Sequence, residues 1–258
     1  MEVSIPVPPR GYRLNSRAVA LLLAACACTG GLPLGRAEAK AAPAPAAAPA
    51  APGSRIDVAS ATAAGVPTDA LSLALGAIRC AVTSGDIDMP KTLTLIDYSK
   101  PSTEPRLWVY DLTTGKLLFT ELVAHGKNTG DNMATHFSDT LNSRQSSIGL
   151  FVTSDTYVGS NGYSLRLDGL EPGFNTHARE RAIVMHGAPY VSTQFASAQG
   201  RIGRSWGCPA LREAVARQVI DTIRGGGVIF SYYPDETGLK SSRFLNCGKT
   251  PSNTLATH

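Results

Sequence analysis

Hydrophobic positions along this chain change their spacing several times, and each change marks a predicted element. In residues 68–83, Leu71, Leu75, Ile78 and Val82 recur at intervals of three and four. That predicts an amphipathic helix with Thr68 as its N-cap and Asp69 in its first turn. After Gly85 the apolar residues come in short runs rich in β-formers, at 92–98, 106–112 and 116–124, and the turn Thr113-Thr114-Gly115 joins the last two as a hairpin. Further strands are predicted at 148–158, 163–167, 182–186 and 228–233, and a second helix at about 211–223. Many strands with few helices predict a mostly β fold: a β-rich α+β domain shaped as a sandwich or half-open barrel with flanking helices. A Rossmann reading fails, because there is no βαβ alternation, no GxGxxG and no P-loop.

The ends of the chain are patterned differently. Arg10, Arg13 and Arg17 precede an apolar stretch over 18–27, and this order predicts an export signal within residues 1–28. The stretch is shorter than the roughly 20 residues of a permanent span. Leu23-Ala24-Ala25-Cys26 reads as a lipobox and Ala37-Glu38-Ala39 as an ordinary cleavage site, so a lipid on Cys26 and a lipid-free product are both open. Residues 29–54, with KAAPAPAAAPAAPG at 40–53, have little to bury and form a linker. Residues 55–90 then read as a helical segment packing on a globular domain at 91–235, and 236–258 as a polar tail.

Removing residues 1–25 leaves 21 basic against 19 acidic residues. Without a dense basic stripe, nucleic acid is excluded as a partner. Three cysteines remain beyond the signal region: Cys80, Cys208 and Cys247. In an oxidising compartment an odd thiol calls for a chemical explanation, and Cys208 is the candidate. A Cys80–Cys247 bridge would tie the domain's two ends and add on the order of 4 kcal/mol by loop closure. Two separate buried thiols are the alternative.

Cys208 lies 22 positions after His186, which ends an apolar strand. The thiol follows a Gly/Arg/Ser-rich loop and precedes the second predicted helix, whose amino end would favour a thiolate. An imidazole able to take the thiol proton makes the sulfur a nucleophile. Backbone N–H groups of Trp206, Gly207 and Cys208 are the natural oxyanion donors, with Gly207 permitting close approach. His125 opens the polar loop 125–147, which is too long for a mere connector. His136 and His177 lack metal-site spacing, so no metal is expected.

His186-Gly187, then seventeen residues, then Ser205-Trp206-Gly207-Cys208-Pro209 resembles the signature of the murein L,D-transpeptidases with the YkuD-type catalytic domain. The segments LTLIDYSK at 93–100, VAHGKNTG at 123–130 and SSIGLFVTSDTYVG at 146–159 resemble the branch in which tryptophan replaces the histidine before Gly-Cys. The likeness covers about residues 70–247 and makes 91–235 the catalytic domain. It implies that Cys208 attacks the diaminopimelate–D-alanine bond of a peptidoglycan stem peptide and passes the acyl group to an amine. With water as acceptor the enzyme is an L,D-carboxypeptidase. It also implies His186 as base, the Gly187 carbonyl as its orienter, and no cofactor. Trp206 and Ala210 stand where the common signature has His and Asn or Arg, so Arg204 or Arg212 is expected to supply the missing charge, with Ser205 and His125 beside the substrate. The competing readings are a catalytically silent, lipid-anchored murein-binding protein and a sortase-like transpeptidase, against which the short interval speaks. Acyl acceptor and oligomeric state are not encoded in any motif found.

Overall fold

The computed structural model describes residues 55–247, so the export signal, Cys26, both cleavage sites, the linker and the last part of the tail lie outside the described residues. The described part begins with α1 (Val58–Ala63), capped by the Asp57 carboxylate on the N–H groups of Ala59 and Ser60. Next comes α2 (Thr68–Thr83), whose bounds match the apolar periodicity. Its N-cap is Pro67 rather than Thr68: the first helical bond runs from Leu71 N to Pro67 O, and Thr68 already lies inside the helix. The buried face of α2 is made by Leu71, Ile78, Cys80 and four alanines, with Leu75 and Val82 at its margins. Small residues allow this helix to lie close to the sheet, over Leu93, Leu95, Trp108 and Phe230.

Nine strands form one mixed sheet. They are β1 (Thr92–Asp97), β2 (Leu107–Asp111), β3 (Leu117–Glu121), β4 (Val123–Ala124), β5 (Gly149–Gly159), β6 (Gly162–Gly169), β7 (Val184–Gly187), β8 (Ala210–Leu211) and β9 (Val228–Tyr232). Their spatial order is β3-β2-β1-β9-β5-β6-β7-β8-β4. β3 and β4 occupy opposite edges, yet Leu122 alone separates them in the chain. The sheet must therefore curl until its edges nearly meet, giving an almost closed barrel flanked by short helices, as the strand-rich pattern predicts. β1–β9 and β7–β8 pair in parallel and the other neighbours antiparallel.

Three further helices complete the shell: α3 (Thr193–Gln199), α4 (Glu213–Ile223) and α5 (Glu236–Ser241). α4 lays Ala216, Val219, Ile220 and Ile223 into a core shared with Ile96, Leu165 and Met185. The helix predicted from residue 211 starts two residues later, because Ala210 and Leu211 pair with both β7 and β4. The described part of the tail carries α5, buries Phe244 against the α2 face and is joined by a disulfide from Cys247 to Cys80, whose Cα atoms are 5.8 Å apart.

Candidate active site

β7 and β8 build the centre of the site. His186 pairs with Ala210 in the parallel ladder, and two residues earlier on β7 the Val184 N–H points at Cys208 Sγ, 3.4 Å away. The thiol is also 3.7 Å from the Ala182 carbonyl oxygen. Strand alternation places His186 on the face of β7 opposite Gly187, against which α4 packs. Ala210 shares the His186 side through that pairing. The sulfur thus lies against Val184 N–H and Ala182 O, at the start of the strand that carries His186, across a 22-residue separation in the chain.

The imidazole has a fixed tautomer. Its Nδ1 lies 2.9 Å from the Gly187 carbonyl oxygen, which can only accept, so Nδ1 carries the proton. Nε2 keeps a lone pair, and no described residue occupies it. Burial holds the His186 pKa below its usual value, only partly offset by the Gly187 bond. Burial also pushes the Cys208 thiol up, against the opposing effects of Val184 N–H and the Arg181 charge. Both shifts favour the uncharged forms, a thiol at Cys208 and a neutral imidazole at His186.

This differs from the expected thiolate at a helix amino end. The dipole effect is confined to the first turn, and β8 separates Cys208 from α4, which begins at Glu213. Cys208 is 8 % exposed and is the free cysteine among the described residues.

The turn before the sulfur is held by Ser205. Its hydroxyl accepts from Gly207 N–H at 3.1 Å and donates to the Cys208 carbonyl at 2.6 Å. Of the three N–H groups expected to serve an oxyanion, that of Gly207 is thereby engaged. Gly207 sits at φ +125°, where a Cβ would come within 2.8 Å of Gln145 O and 2.9 Å of Ile183 Cδ1, so only glycine fits.

The other expected residues are tied up within the protein. His125 is buried, its Nδ1 accepting from Arg106 Nη2 at 2.8 Å and its Nε2–H donating to Gly130 O at 3.2 Å. Burial, and then the Arg106 charge, lower its pKa to about 4. Arg204 donates to Gly130 O and to Asp131 at 2.8 Å. Arg212 forms a fork onto Glu121 at 2.7 and 2.8 Å. His136 meets Thr135, and His177 meets Asp139.

Arg181 was not visible in the sequence. This guanidinium is 3 % exposed and donates to Ser138 O, Ser147 Oγ, Ser143 Oγ and Gln145 O, clipping the long polar loop against the turn at Gly207. Its charge favours the thiolate of Cys208. Tyr190 also adjoins the sulfur electrostatically, and burial drives its phenol up to about 12. Neither residue lies in a recognisable motif, and every Arg181 partner is more than thirty positions away in the chain.

A family model of the L,D-transpeptidase catalytic domain matches residues 62–232. No curated protein matches. Among solved structures, an L,D-transpeptidase from Mycobacterium smegmatis is 15 % identical, covering 55 % of this chain and 59 % of that one at a TM-score of 0.36. One from Mycobacterium tuberculosis H37Rv is 13 % identical, covering 56 % and 58 % at 0.36. The helical cell shape determining protein Pgp2 from Campylobacter jejuni is 15 % identical, covering 56 % and 48 % at 0.36. This chain thus spans less than two thirds of each of those proteins. Overlaps this loose carry no argument about the site, whereas the family model covers well over half of the sequence. On that match, the chain belongs to the L,D-transpeptidase catalytic-domain family.

Proposed function

We propose that this protein is a peptidoglycan L,D-transpeptidase of the cell envelope with Cys208 as nucleophile and His186 as base. One observation carries the reading: a free thiol lies at the start of the strand that presents a histidine whose Nδ1–H is fixed on Gly187 O, leaving Nε2 to accept a proton. Because the resting pair is neutral, attack by Sγ on the carbonyl between diaminopimelate and D-alanine transfers the thiol proton to Nε2 as the S–C bond forms. The N–H groups of Trp206 and Cys208 take the oxyanion. Collapse breaks the C–N bond, His186 returns the proton to the departing D-alanine amine, and the acyl group stays on sulfur as a thioester. An acceptor amine then attacks, gives its proton to His186 and restores the thiol; water in its place yields the carboxypeptidase product.

Ser205, His125, Arg204 and Arg212 act in this scheme by holding the walls of the site. Export, with membrane attachment through a lipid on Cys26, belongs to the same proposal, and palmitate labelling of the mature protein tests that attachment. For the chemistry, the test is incubation with a carbapenem followed by intact-mass measurement. A covalent adduct that Cys208→Ala abolishes is expected. An unmodified wild-type protein would instead favour a silent murein-binding role.

A further inference from the structure

The acyl donor of an L,D-transpeptidase is an acidic peptide, and both arginines that the sequence offers for its carboxylates are neutralised. Arg204 rests on Asp131 and Arg212 on Glu121. A different guanidinium stands free at the rim. Arg144 lies over the ring of Trp206 with its Cζ 4.8 Å from the ring centroid. Trp206 is two residues before the nucleophile and 72 % exposed. Among the described residues no carboxylate pairs with Arg144, so its donors face solvent beside an apolar plate.

The backbone holds Arg144 there at a cost. It adopts φ +55°, a left-handed conformation that strains a residue with a Cβ by about 1–2 kcal/mol. Asn128 N–H donates to its carbonyl at 3.1 Å. That carbonyl lies 2.5 Å from where a Cβ on Gly126 would stand, and Gly207 Cα is 3.0 Å from the same point. The next carbonyl, Gln145 O, is held by buried Arg181 at 2.6 Å. Two glycines and a buried arginine thus fix a strained arginine against the turn that carries the nucleophile.

We propose that Arg144, stacked on Trp206, receives a carboxylate of the donor peptide and replaces the basic or amide residue that Ala210 displaces from the family signature. This rests on the transpeptidase reading above. The indole orients the planar guanidinium and shields one of its faces, leaving its edge for a carboxylate.

The test uses the full chain carrying Cys208→Ala, so that binding is measured without turnover. A stem tetrapeptide with free carboxylates and the same peptide with its carboxylates amidated are titrated by calorimetry. The free acid should bind about three- to tenfold more tightly, as expected for one charge-assisted contact at a rim. Adding Arg144→Gln should erase that preference, and Arg144→Lys should keep part of it, because a point charge remains. Both keep a long side chain at the same strained backbone position. A preference that survives Arg144→Gln, or equal binding of acid and amide, overturns this inference and leaves the transpeptidase reading standing. Failure of both peptides to bind removes both.

Discussion

Lowering the pH should destabilise this fold through one buried imidazole. His125 is 1 % exposed and sits against the Arg106 guanidinium, itself fully buried with no carboxylate among its hydrogen-bond partners. A proton on His125 Nδ1 would turn the Arg106 bond into a clash of two donors and place a second cation in the interior. The native pKa is accordingly about 4, against about 6.5 in the unfolded chain. Between these values the unfolded state binds more protons, so stability falls as pH is lowered. From pH 7 to pH 4.5 this group alone removes about 2.5 kcal/mol. The assay is urea unfolding of wild type and His125→Gln at both pH values. Gln can still accept from Arg106 and donate to Gly130 but does not titrate. Other titrating groups are common to both proteins and cancel in the difference. The wild type should therefore lose about 2.5 kcal/mol more than the variant over this interval. Equal losses would refute the placement of a neutral His125 against Arg106.

Three further outcomes follow from the site and the tail. Alkylation of Cys208 by iodoacetamide should be slow at pH 7 and rise only above the usual thiol pKa of about 8.5. An inflection near pH 5 would instead reveal a preformed thiolate–imidazolium pair, and Arg181→Met should move the alkaline rise higher by removing a cation that favours the thiolate. Gly207→Ala, forced to φ +125° with its Cβ against Gln145 O, should cost about 1–3 kcal/mol and abolish carbapenem acylation while far-UV circular dichroism is retained. Opening the Cys80–Cys247 loop of 167 residues by substituting both with Ser should remove about 4–5 kcal/mol and lower Tm by about 8–20 °C; an unchanged calorimetric Tm would show that the ends are held by packing instead.

The elements legible in the sequence are those whose burial repeats. α2 announces itself because one face meets a large apolar cluster, and β1, β2, β5 and β9 because their residues enter two such clusters on opposite faces of the sheet. β8 does not, since two residues hold no period, and it displaces the start of α4 although Leu211 continues an apolar run. α3 and α5 are pieces of under two turns closed by local caps, Ser192 with Gly200 and Asp235, and neither buries a stripe long enough to read. His186 and Cys208 were legible as residue types, but that the sulfur meets Val184 N–H, at the start of the strand that carries His186, is a property of the barrel.

Charge partners were the least legible part, and the reason is geometric. Sequence proximity to Cys208 favoured Arg204 and Arg212, whose partners Asp131 and Glu121 lie 73 and 91 positions away. Those acids neutralise them at distances no motif records. Arg181 and Arg144, the guanidiniums that border the sulfur's turn, come from other segments and are placed by the folding of the 125–147 loop against β7. On the proposed reading, the short signature therefore carries the nucleophile and base, while the charges that border the sulfur's turn come from elsewhere in the chain. The burial that favours the neutral thiol at Cys208 also makes the Arg181 charge matter, because a guanidinium near a poorly hydrated sulfur acts through a medium that screens it weakly.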